Sequence, residues 1–196
     1  MPNPSRGADS GVDAESFARL SPADALRAHI RDIPDFPAPG IVFRDVTPLF
    51  ADPGALQTAT GALAGYAESV GAAYVVSAEA RGFVLGGAMA AQAGIGFILA
   101  RKPGKLPRET ASVQYQLEYG VDALEMHSDS LSQGARVLVH DDLLATGGTA
   151  QALCGLVEQA GATVAGCAFL VELAYLDGRA RLAPREVHSL IVYESE

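Results

Sequence analysis

Asp141 and Asp142 stand side by side where an apolar run ends, in the stretch VLVHDDLLATGGT at residues 137–149. Adjacent carboxylates repel one another unless something nearby offsets the charge. Directly after them, Ala145, Thr146, Gly147, Gly148 and Thr149 supply two glycines for close backbone approach and two hydroxyls. This turn leads into a helical pattern, so free N–H groups and the positive end of the helix dipole converge where a phosphate fits. Acids and an anion cradle conflict over a bare phosphate but agree over a phosphorylated sugar. The turn would take the phosphate while the carboxylates accept hydrogen bonds from vicinal hydroxyls, with a hydrated Mg²⁺ as a further partner. The plain alternative is a helix-capping turn with solvated acids. No Gly-Lys-Ser/Thr follows the turn and no Gly-x-Gly-x-x-Gly opens a helix after AAYVVS, so triphosphate hydrolysis and dinucleotide binding lose support.

Two other stretches carry charge in suggestive places. EARGF (79–83) sits between an apolar run and a helical pattern, and RKPGKLPR (101–108) places four cations within eight residues after another apolar run. Each alone reads as an ordinary solvated loop. In a chain of net charge -9, however, the second is the local basic cluster that a polyanionic ligand would need. The same net charge argues against a nucleic-acid or anionic-membrane surface.

The elements that must hold these residues follow from hydrophobic periodicity. AAYVVS (72–77), IGFILA (95–100), ARVLVH (135–140), VAGCAFLVE (164–172) and HSLIVYE (188–194) read as buried strands. Helical patterns separate most of them, which means a parallel sheet covered on both faces. Ligands bind such sheets at the carboxyl ends of the strands, where Asp141 and Asp142 fall. VQYQLEYG (113–120) and DALEMH (122–127) alternate with period two and predict a small antiparallel excursion.

Upstream, SPADALRAHIRDI (21–33) predicts a helix capped by Ser21, with Leu26, Ile30 and Ile33 on one face. A stiff extended segment follows through IPDFPAPGIVFRDVTPLF (33–50), and then a helix capped by Asp52 with Pro53 first. The expected division is a disordered tail at 1–20 and one α/β domain over 21–196. Cys154 and Cys167 fit no metal-ligand spacing and read as reduced core residues. With neither a signal peptide nor a membrane-spanning run in view, the expected location is cytoplasmic.

Four segments in order, FPAPGIVFRDVTPLF, EARGF, RKPGKLPRETASVQYQLEYG and VLVHDDLLATGGTA, resemble the adenine phosphoribosyltransferases, members of the type I phosphoribosyltransferase family. The resemblance spans roughly residues 21–193. It implies the family's parallel sheet flanked by helices with a mobile lid, a homodimer, and transfer of the phosphoribosyl group from phosphoribosyl pyrophosphate to adenine with Mg²⁺. A phosphoribosyltransferase for another base, or a ligand-sensing regulator on the same fold, are the alternatives.

Carried over residue by residue, the resemblance gives Asp141 and Asp142 the ribose hydroxyls and residues 145–149 the 5′-phosphate. Mg²⁺ would be carried by the substrate near the two aspartates, without a direct protein ligand. Glu79, Ala80 and Gly82 would form the pyrophosphate loop, which in relatives can hold a non-proline cis peptide, and Arg81 would be a catalytic donor to the leaving group. Arg101, Lys102 and Lys105 would meet the pyrophosphate, and residues 106–112 would belong to the lid, with Tyr119 packing over the closed site. Val42 would read adenine through its backbone, with Phe43 stacking on the ring and Arg44 at its edge. Glu118 would handle the adenine imidazole proton. His140 stands where the family usually has an aliphatic residue, and Ser77-Ala78 precede Glu79 where glycine is common. A histidine ending a buried strand reads as a satisfied core group rather than a catalyst.

Overall fold

The computed structural model describes residues 21–117 and 120–196; the expected tail, Glu118 and Tyr119 lie outside the described residues. Five parallel strands form the central sheet: β3 (Tyr74–Ala78), β4 (Gly96–Ala100), β7 (Arg136–Leu144), β8 (Thr163–Leu173) and β9 (Val187–Tyr193), in the order β4-β3-β7-β8-β9. Two antiparallel hairpins lie outside it. One pairs β1 (Arg31–Pro34) with β2 (Val42–Asp45), the other β5 (Thr110–Leu117) with β6 (Gly120–His127).

Helices cover both faces of the sheet, as the continuous apolar strands require. On one face lie α1 (Pro22–Arg27), α2 (Thr47–Ala51), α3 (Pro53–Ser69) and α4 (Gly82–Ala93), which enclose Leu49, Leu63, Leu85, Met89 and Leu138. On the other, α5 (Gly148–Gln159) and the β5–β6 hairpin enclose Val139, Leu153, Leu156, Phe169 and Met126. Val75 joins the first core and Val76 the second, which is why β3 cannot alternate polar with apolar residues. Each fully buried leucine contributes about 2 kcal/mol. A short helix, α6 (Gly178–Leu182), closes the far end of the sheet. Among the described residues, no helix is long and apolar enough to cross a membrane.

Three expectations change. The first helix ends at Arg27, and Ile33 belongs to β1, because the residues after the helix pair with β2 and set Arg31 opposite Asp45 and Asp32 opposite Arg44. The segment expected to be uniformly extended is that hairpin followed by α2, whose start is bonded by Asp45 through the Thr47 N–H at 2.9 Å. Finally, β7 does not stop at His140 but runs on through both aspartates to Leu144, because β8 is long enough to keep pairing with it up to Leu144↔Glu172. Other boundaries hold: Asp52 caps α3 by accepting the Ala55 N–H at 2.8 Å, and Ser21 caps α1.

Candidate active site

The two aspartates sit where one strand outruns its neighbour. Pairing between β3 and β7 ends at Ser77↔His140, while β8 continues beside β7. Asp141 and Asp142 therefore have sheet support on one side and the 79–82 loop on the other. That approach is close enough to dictate sequence: a Cβ on Gly82 would lie 2.6 Å from Asp141 Oδ1. Asp141 Oδ1 also accepts the Asp142 N–H at 2.9 Å.

Beyond Leu144 the chain turns through residues 145–147 into α5. Gly147 takes a left-handed φ of 81° at the helix start, so the first N–H groups of α5 open toward the aspartates. The turn is backed by α6, since a Cβ on Gly178 would lie 2.0 Å from the Ala145 carbonyl oxygen. What fixes α6 is a fork: Arg179 donates to both oxygens of Glu172, at 3.0 and 2.6 Å, while Ser189 donates to the same carboxylate at 2.6 Å. Burial would push the Glu172 carboxyl up, yet Arg179 and Ser189 hold it below the ordinary range. A cleft of about 200 Å³ is lined by Arg81, Asp141, Asp142 and residues 143–150. A second, of about 340 Å³, adjoins it and adds Glu79, Ala80, Lys102, Tyr115 and Asp122.

Electrostatics make the pair hungry for donors. Burial, and then the neighbouring Asp142 charge, push the Asp141 carboxyl well above the ordinary range, while Arg81 pulls the other way. Asp142 is raised by burial, again against Arg81. Arg81 Nε approaches Asp142 Oδ2 to 2.8 Å, but without the alignment of a hydrogen bond, so that buried oxygen keeps an unused lone pair.

The basic loop joins the same cavity by a different route. Glu79, whose peptide bond to Ala80 is cis, accepts from Arg101 Nε and Nη2 at 3.0 and 2.8 Å and from the Lys102 N–H at 2.7 Å. The Lys102 N–H, more than Arg101, holds the Glu79 carboxyl below its usual value. Lys105 stays exposed, its carbonyl accepting from Arg101 at 3.2 Å. Residues 106–112, expected as lid, comprise loop and then the first residues of β5.

The β2 segment meets the pair through Arg81, whose guanidinium lies 5.2 Å from the Phe43 ring centroid. Phe36 contacts the same ring edge-on at 5.1 Å. Val42 stands opposite Pro34, a residue with no N–H to give that end of the hairpin. Arg44 is not brought to this group: it is buried, pairs with Asp32 and lies 4.3 Å over the Tyr193 ring.

Residues 47–194 match the phosphoribosyl transferase domain. The adenine phosphoribosyltransferase of Rubrobacter xylanophilus is 58% identical over 169 residues, covering 86% of this chain and 91% of that protein. The chain belongs to the adenine phosphoribosyltransferase family. Among solved members, the enzyme from Thermoanaerobacter pseudethanolicus superposes with a TM-score of 0.85 at 46% identity, covering 87% of this chain and 99% of that one. The Saccharomyces cerevisiae enzyme, solved with an imino-altritol bisphosphate and adenine, gives 0.83 at 37% identity, covering 86% and 98%.

Against that family pattern, His140 is fully buried beneath the aspartates. Its Nδ1 lies 2.9 Å from the Ala168 carbonyl and so carries the ring proton, leaving Nε2 as an acceptor without a partner among the described residues. Burial drives its pKa down to about 4, with the carbonyl opposing. It is a neutral core group, and only half satisfied.

Two features escaped the sequence reading. Gly178 braces the turn at residues 145–147, and the Asp177-Gly178 turn dipeptide was the signal for it. Asp122 and Tyr115 line the cavity; Asp122 shares the phase of Leu124 and Met126, both buried, so an acid stands on the core-facing side of an alternating strand.

As for Mg²⁺, no group of three or more His, Cys, Asp or Glu side chains among the described residues could cage a metal. Two adjacent carboxylates with an unused buried lone pair do fit a hydrated cation brought in on a ligand's phosphates.

Proposed function

We infer that this chain transfers the 5-phosphoribosyl group from phosphoribosyl pyrophosphate to adenine, forming AMP and pyrophosphate in purine salvage. The observation that carries the reading is the convergence of an aspartate pair, a glycine turn at a helix N-terminus and Arg81 on one cleft. Each of these meets a different part of a single phosphorylated sugar.

In this reading the backbone of residues 145–149 binds the 5′-phosphate, and Asp141 and Asp142 accept the ribose hydroxyls. Hydroxyl donors stabilise the charged form of both acids, which burial alone disfavours. Arg81 leaves Asp142 and the Phe43 face to donate to the departing pyrophosphate, joined by Arg101, Lys102, Lys105 and the 79–82 backbone. Mg²⁺, when bound, would travel on the pyrophosphate beside Asp141 and Asp142 and neutralise negative charge there. The uncovered Phe43 ring accepts adenine by stacking, with the Val42 backbone reading the amino edge. Closure of residues 106–112 excludes water that would otherwise capture the ribosyl centre.

Glu118 is assigned the adenine imidazole proton, so Glu118→Gln should slow the single-turnover chemical step about 10²-fold with substrates bound. Unchanged single-turnover kinetics would remove it as the base. The reading includes a homodimer, for which Val84 and Leu99 are exposed apolar side chains, and a cytoplasmic location. Cys154 and Cys167 suit a reducing compartment, being buried and free with sulfurs 3.8 Å apart. The deciding assay is pyrophosphate release with adenine, hypoxanthine, guanine or no base. Turnover with hypoxanthine but not adenine rejects the substrate, and binding without turnover rejects the enzyme.

A further inference from the structure

Among the described residues, the cavity meant for a polyanion is lined by four carboxylates, Glu79, Asp122, Asp141 and Asp142, and by only two cationic side chains, Arg81 and Lys102. Three of the nearby cations are already matched, Arg81 with Asp142, Arg101 with Glu79, and Lys102 with Asp122, while Lys105 stays exposed. Three of the acids have an account. Asp141 and Asp142 face the sugar hydroxyls, and Glu79 is locked by three donors that shape the loop. Asp122 is left over.

Its contacts show how it is held. Asp122 Oδ2 takes Lys102 Nζ at 3.0 Å and, weakly, the Tyr115 hydroxyl at 3.4 Å, while Oδ1 accepts the Ala123 N–H at 2.9 Å. Tyr115 and Thr149, at the start of α5, line the same cavity. Asp122 therefore stands between the basic loop, which it meets at Lys102, and the start of α5 across the same cavity. Unlike the Arg101–Glu79 pair, the one at Asp122 is built to let go. Lys102 makes a single-point contact on a flexible stem and its side chain is 59% exposed, whereas Arg101 grips Glu79 through two nitrogens.

We propose that Asp122 is a stand-in anion: it keeps Lys102 poised over the cavity until pyrophosphate displaces it, and thereby sets the affinity for the pyrophosphate-bearing substrate and product. The proposal rests on the phosphoribosyl-transfer reading of the site. A carboxylate in that position weakens pyrophosphate binding twice, by holding the cation the ligand needs and by repelling the ligand itself. When pyrophosphate departs, Asp122 recaptures Lys102.

The test uses Asp122→Asn, which keeps an oxygen for the Ala123 N–H and removes the charge, with Asp122→Ser as a second variant. Inorganic pyrophosphate is titrated in the presence of magnesium, and the KM for phosphoribosyl pyrophosphate and for adenine are measured separately. Both variants should bind pyrophosphate several-fold more tightly and lower the phosphoribosyl pyrophosphate KM by a similar factor, with the adenine KM unmoved. The gain should shrink as salt is raised. Asp122→Glu should stay near the parent. Unchanged or weaker pyrophosphate binding in Asp122→Asn and Asp122→Ser overturns the proposal, because a residue that merely positions Lys102 would give that sign. If the parent protein itself fails to turn over adenine, the functional reading falls, while the pyrophosphate titration still reports on Asp122.

Discussion

Replacing His140 by Asn should change how the protein responds to acid more than how it responds to heat at neutral pH. Asn can still donate to the Ala168 carbonyl now bonded to Nδ1, but it cannot titrate. In the native protein burial lowers the His140 pKa from 6.5 to about 4, so between those values the unfolded chain binds a proton that the folded chain refuses. Stability from this group is therefore complete above about pH 6.5 and is lost as pH falls toward 4. At about 1.4 kcal/mol per pH unit, that gap is worth about 3 kcal/mol. Asp141 and Asp142 act with the opposite sign, because their raised folded pKa values favour the folded state as pH falls. They are present in both proteins, so the difference between the two isolates His140. Urea unfolding at a series of pH values should show the parent losing about 3 kcal/mol more than His140→Asn between about pH 7 and pH 4. Parallel curves would refute a neutral, buried histidine.

Three further outcomes follow from close contacts at the site. Asp142→Asn should raise the KM for phosphoribosyl pyrophosphate by about 10- to 100-fold, the worth of a charged hydrogen bond, and leave adenine binding nearly unchanged; equal losses would count against the hydroxyl role. Gly82→Ala puts a methyl 2.6 Å from Asp141 Oδ1, so phosphoribosyl pyrophosphate use should fall at least about tenfold with little change in Tm, and intact kinetics would show that the loop has room. Gly178→Ala meets backbone that cannot move aside, and should cost about 1–3 kcal/mol in unfolding experiments while weakening phosphate binding; a protein that melts like the parent would deny that α6 braces the turn.

The parallel sheet could be read directly because β3, β4, β7, β8 and β9 are apolar runs needing cover on both faces, and helical periodicity separates most of them. The hairpin of β1 and β2 could not. Its pairing sets Asp32 opposite Arg44 and Ile33 opposite Phe43 across a proline-rich turn, a tertiary choice that overrode the helical spacing of Leu26, Ile30 and Ile33. Arg44 shows the same limit within the site, since its neighbour Phe43 meets Arg81 while its own side chain lies over Tyr193 from the far edge of the sheet. Residues of one local motif, Asp141 to Thr149, were legible because chemistry and spacing coincide in a single stretch. Asp122 and Gly178 were not, because each matters through a backbone or side chain brought from elsewhere in the chain.

The contact between Gly178 and Ala145 also bears on the order in which the site can come into being. The turn at residues 145–147 precedes its own brace by some thirty residues. Arg179 holds that brace through Glu172, Val187 and, by way of the shared carboxylate, Ser189. During synthesis from the N-terminus, the aspartates and the turn emerge first but have no brace until Gly178 has followed, and β9 then completes its hold through Val187 and Ser189. The turn is thus among the later parts of the molecule to mature, and a nascent chain halted before residue 178 would carry the motif in full without the backbone that shapes it.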